Sequence, residues 1–142
     1  MSGVAVILAK LKANAPLLAV VPTGRIMAGD FPENIALPAI SVMQVSSVPR
    51  NRLSMNPANV MHTDTVQVTV IVSGIQGAAG TGYAGLRQIL QLVLAACPHT
   101  HGTVASINVD SIIPDSEGPD LPIDAPAMIA GSRDFRVRWT AT

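Results

Sequence analysis

Between Val66 and Val72 every second residue is valine, and Gln67, Thr69 and Ile71 stand between them. A β-strand sends successive side chains to opposite faces. Asp64 to Gly74 is therefore expected to form a strand with one apolar face. A parallel strand buried on both faces reads as a continuous apolar run. Gln67, Thr69 and Ser73 break that run and point to a sheet with one wetter face. A glycine-rich stretch follows, and then Leu86, Ile89, Leu90, Val93 and Leu94 recur at helical spacing. Tyr83 to Cys97 is expected to be a helix, with Thr81 at its N-cap and Pro98 stopping it.

The rest of the chain arranges itself around this strand and helix. Val4, Ile7, Leu8 and Leu11 predict a first helix, with Lys10 and Lys12 suiting its C-terminal dipole. Those lysines follow the apolar part, whereas a secretion signal puts its positive charge first. The stretch is read as part of the mature protein and the protein as unsecreted. Leu17 to Val21 is a short apolar turn, Arg25 to Ala28 a short strand, and Pro38 to Val45 a longer one. Ser46 to His62 is too long for a tight hairpin and is expected to be a projecting β-arm or a loop. Thr103 to Ile113 reads as one strand, Pro114 to Pro126 as an acidic loop, and Met128 to Trp139 as the last strand. The order predicts an α+β domain spanning all 142 residues. Its sheet is mainly antiparallel, with two helices packed on one face.

Composition narrows the function. Charged residues make up 13% of the chain, about half the usual share, and aromatics 3%. A chain so sparing of charge must fold deeply or hide surface against partners, which suggests oligomerisation. The net charge is zero, so no global field draws nucleic acid or an acidic membrane. One cysteine cannot form an internal disulfide. No apolar run is long enough to span a bilayer.

Three motifs invite chemistry. Gly80, Gly82 and Gly85 match G-x-G-x-x-G, and a nucleotide-binding enzyme built on that turn is one alternative. The fingerprint also needs an acid about 20 residues on, where Ala105 and Ser106 stand. Cys97, His99 and His101 supply three zinc-ligand types where a structural site takes four, and read first as a polar turn. Asp110, Asp115 and Glu117 are close in sequence but suit a solvated loop. No activated nucleophile, cofactor cradle or metal set emerges, so no catalysis, cofactor or metal is expected.

Several phrases across nearly the whole chain carry a resemblance. They are Gly24-Arg25-Ile26 with Pro32 after it, Leu37-Pro38-Ala39-Ile40-Ser41-Val42, the valine strand and glycine turn with Tyr83, Gly102-Thr103-Val104, and Asp134-Phe135-Arg136-Val137 with Trp139. In that order the chain resembles the tail-completion or tail-terminator proteins of long-tailed phages and gene transfer agents. The resemblance implies a structural virion protein that forms a ring, usually a hexamer, at the head-proximal end of the tail tube. It implies the tail-tube protein and the head–tail connector as partners, with genomic DNA passing through the lumen without specific binding. It implies assembly in the host cytoplasm. A connector or a tube subunit is the alternative within the same particle. On this reading Arg50 and Arg52 on the arm, and Asp115, Glu117, Asp120 and Asp124 in the acidic loop, are the candidate residues of a subunit or tube interface.

Overall fold

Val66, Val68, Val70 and Val72 are fully buried, so the alternation marks the core face of a strand. A computed structural model of the chain describes residues 2–50, 60–74, 81–122 and 128–140. The helices are α1 (Ser2–Lys12), α2 (Ala15–Leu18) and α3 (Gly82–Ala96). The strands are β1 (Ile26–Ala28), β2 (Ala39–Arg50), β3 (Met61–Ser73), β4 (Gly102–Val104), β5 (Ile107–Glu117), β6 (Leu121–Pro122) and β7 (Met128–Thr140). The sheet order is β1-β2-β3-β7-β5-β4, with β6 beside β7. Its strands pair antiparallel except for β1 with β2. The fold is α+β, as the sequence predicts, and the sheet curls into a half-barrel.

The helices close one face of the sheet. Val4, Val6, Ile7 and Leu11 of α1 and Leu86, Ile89, Leu90 and Val93 of α3 share a single core. They meet the four valines of β3 and Phe135 and Val137 of β7 there. Each such buried side chain contributes about 1.5–3 kcal/mol relative to exposure. None of the described helices is long and apolar enough to cross a membrane.

Two sequence expectations need correction. Thr103 to Ile113 is a tight hairpin, not one strand. Val104 pairs with Ile107, and Ala105 and Ser106 turn the chain at φ 50° and 64°. Both conformations are left-handed, where Asn and Gly are the usual residues, so the turn carried no sequence signal. The acidic loop is also shorter than expected. Pro114 to Glu117 continues β5 along β7, because side-chain alternation weakens on an exposed edge strand. The expected arm is present in part: β2 and β3 stay paired out to Arg50 and Met61, and residues 51–59 lie outside the described residues.

Both edges of the sheet are interrupted. β1 covers only Ile40 to Val42 of β2. Beyond it β2 carries a bulge between Gln44 and Ser46, and then Pro49. At the far edge β4 covers only Ile107 to Val109. The rest of β5 has register shifts at Val109/Ser111 and Pro114/Ser116. Bulges and prolines on an edge obstruct pairing with another strand.

Candidate interaction surface

The face of the sheet turned away from the helices is divided in two. At one end it is covered. Phe31, Pro32, Ile35 and Leu37 flank a hollow with Ile71 and Met128, and Gly118 bonds back to the Ser132 carbonyl. At the arm end it is bare. Rows across the strands run Ser46, Thr65, Arg136, Ile113 and then Val48, Thr63, Arg138, Ser111. Ser46, Val48, Arg50, Thr63, Thr65, Arg136 and Arg138 line one shallow depression. Three arginines thus converge from two strands far apart in sequence. Strand parity hinted at Arg136 and Arg138; Arg50 joins them only through the β2–β3–β7 register.

Of the described acidic residues that the sequence singled out, only Asp115 reaches an arginine of this depression, and Glu117 and Asp120 pair outside it. Glu117 bonds Arg133 at 2.5 Å and Arg87 at 3.1 Å. Asp120 lies 3.9 Å from Arg87 and, through a hydrogen bond, holds the Tyr83 phenol above its ordinary pKa. Asp115 meets Arg136 at 3.3 Å. These pairs fasten the first turns of α3 and the end of β5 to β7. Asp115, Glu117 and Asp120 are therefore engaged within the chain. Arg50 sits exposed at the end of β2, and among the described residues neither it nor Arg138 has a hydrogen-bond or ion-pair partner. Arg52 and Asp124 lie outside the described residues.

The other sequence motifs do not assemble into sites. Gly82 opens α3 with φ +67° and Gly85 is buried, while Gly80 lies outside the described residues. A dinucleotide turn needs a parallel β-α-β unit, but β3 is antiparallel to both its neighbours and α3 leads into the β4–β5 hairpin. Cys97 is buried, and burial pushes its thiol up to about 12 against a weaker opposing pull from Lys10. His101 turns instead to Asp110, 3.2 Å from its carbonyl. No three metal-ligating side chains gather among the described residues.

Sequence reasoning missed one polar cluster. Asp64 on β3 is fully buried and accepts from the Gly3 amide at 3.0 Å, the Ser47 hydroxyl at 2.5 Å and the Trp139 indole at 2.8 Å. His62 stacks on Trp139 with ring centroids 4.2 Å apart. The carboxylate caps the start of α1 from 61 residues away, a distance over which no local cap pattern can signal it. It holds β2, β3, β7 and α1 together where the bare face begins.

No protein-family model matches the sequence, and no curated protein matches it. Solved structures do share the fold. A chain from the virion of a native gene transfer agent particle superposes with a TM-score of 0.71 at 15% identity, over 97% of this chain and 94% of that one. A second solved chain gives a TM-score of 0.52 at 15% identity, over 96% of this chain and 95% of that one. At such identity the likeness is one of fold, and it runs end to end in both chains.

Proposed function

We propose that this protein is a non-catalytic structural subunit of a phage-like particle, closing the head-proximal end of the tail tube as a ring. The observation that carries the reading is the end-to-end fold likeness to a gene transfer agent virion chain. The order of sequence phrases that resembles tail terminators supports it further. A bare sheet face beside a low charged fraction suits a subunit that buries surface in an assembly. Interrupted sheet edges suit contacts made through side chains. In this role the subunit ends growth of the tube, offers its other side to the head connector and surrounds the path of the DNA. Arg50 and Arg52 face a neighbour or the tube. Asp124 stays with them as an interface candidate, while Asp115, Glu117 and Asp120 brace α3, β5 and β7 behind that contact.

Deleting the gene from a producing strain and imaging the particles by electron microscopy tests the role. Over-long tails without heads are expected. Absent tails would assign the tube subunit instead, tails of normal length without heads a connector, and unaltered particles would overturn the virion reading.

A further inference from the structure

Charge is distributed unevenly along the strands. Of the described acids, Asp64 is buried among three donors, Asp110 meets His101, and Asp115, Glu117 and Asp120 meet arginines. Asp134 accepts from Ser116. Asp30 and Glu33 remain, both exposed and without a hydrogen bond or ion pair among the described residues. They lie in the loop between β1 and β2. That loop packs over the covered end of the outer sheet face, beside Ile71 and Met128. Arg25 stays committed to the loop's own frame, donating to the Leu37 carbonyl at 3.1 Å. Arg50 and Arg138, without an ion-pair partner among the described residues, lie at the other end of the same face, level with Met61 and Thr63 respectively. From Thr63 to Ile71 is eight steps along β3, or about 26 Å at roughly 3.3 Å per residue.

We propose that the bare arm end of the outer sheet face, through Arg50 and Arg138, docks on the Asp30–Glu33 loop of a second copy of this chain. The two patches are complementary in charge, and about 26 Å of strand separates them within one subunit. They therefore cannot satisfy each other internally, and a contact between them is head-to-tail. A head-to-tail contact leaves each subunit one free patch of each sign, so association continues until the rotation closes it into a ring. Val48 and Ile113, each about half exposed on the bare face, supply apolar contact beside the charges. Edge-to-edge strand pairing is a poorer route, since bulges and prolines interrupt both edges. The proposal deepens the ring reading and rests on it.

Charge exchange tests it. The purified full chain, a double variant Arg50→Glu with Arg138→Glu, a double variant Asp30→Lys with Glu33→Lys, and the fourfold combination are compared by sedimentation at low and high salt. All four positions are exposed, and thermal melting of each variant checks that it folds. The wild type is expected to sediment as a closed oligomer whose association weakens as salt rises. Each double reversal is expected to weaken self-association by about tenfold or more, and the fourfold variant to restore it. A wild type that stays monomeric at every concentration would overturn the contact, as would an oligomer indifferent to either reversal, or reversals that weaken it without rescue. An oligomer indifferent to reversal would leave the ring reading standing. Unaltered particles after gene deletion would remove the virion reading and leave a salt-sensitive oligomer explained.

Discussion

Trp139 donates its indole N–H to the buried carboxylate of Asp64 across 2.8 Å. With the Gly3 amide and the Ser47 hydroxyl, this gives one carboxylate three donors from three other elements. Asp64→Ala leaves the buried Gly3 amide and the half-buried Trp139 indole without their acceptor, while the exposed Ser47 hydroxyl can turn to water. A loss of about 3 kcal/mol is expected, since hydrogen bonds to charged groups are the stronger ones and orphaned donors add their desolvation cost. Trp139→Phe removes one donor while keeping an aromatic ring beside His62, and should cost less, about 1–2 kcal/mol. Urea denaturation of the two variants reads the order directly.

Gly3 lies against the same carboxylate. A Cβ there would come within 2.8 Å of both the Cβ and Oδ2 of Asp64. In an open helix Gly→Ala is favourable by roughly 0.5–1 kcal/mol. Here the overlap outweighs that gain, and Gly3→Ala should be destabilising by about 1–2 kcal/mol. A raised melting temperature would contradict the packing described.

Much of this architecture is legible in the sequence, but unevenly. The valines of β3 and the leucines of α3 declare themselves because one face of each is dry and the other wet. Phe135 and Val137 do the same on β7. Asp64 stays hidden, because the helix it caps is 61 residues away. Glu117 reads as a loop acid because Arg87 and Arg133 reach it only once α3 and β7 have packed. Arg136 and Arg138 share a face by simple alternation, but Arg50 joins them only through strand register, which no local pattern encodes.

Glu117 and Asp115 make a contrast in ion pairing. Glu117 serves Arg133, whose side chain is 14% exposed, whereas Arg136 beside Asp115 is 47% exposed. Glu117→Ala should cost about 1–2 kcal/mol by leaving a largely buried guanidinium short of a partner. Asp115→Ala should cost under about 0.5 kcal/mol, as exposed pairs do. The two urea midpoints, measured side by side, check the difference.

The Cys97 thiol is pushed up to about 12 from an ordinary value of 9.0, chiefly by burial. Its proton is held more tightly in the folded chain than in the unfolded one. The stabilisation is fully present below pH 9 and is lost as pH rises through about 12. Cys97→Ala should flatten the alkaline limb of a stability–pH curve. At neutral pH the native thiol should react with iodoacetamide far more slowly than the urea-unfolded thiol.

Ala105 and Ser106 both occupy left-handed conformations in a two-residue hairpin. Asparagine followed by glycine adopts that pair of conformations with least strain. The double substitution Ala105→Asn with Ser106→Gly should therefore relieve about 1 kcal/mol of backbone strain. Thermal melting would register the gain as a higher midpoint.

The order in which the chain is made bears on how the sheet is finished. β7 leaves a ribosome after β3 and β5, yet it lies between them in the middle of the sheet. Until it arrives, β3 and β5 each present an unpaired side where the completed fold has none. The first helix is synthesised well before them, but the carboxylate that caps it gains its full set of donors only when Trp139 closes on Asp64. A chain stalled before β7 is thus left as two unjoined halves with open strands, the form in which sheet proteins most readily aggregate. The subunit becomes safe to accumulate only when β7 is complete.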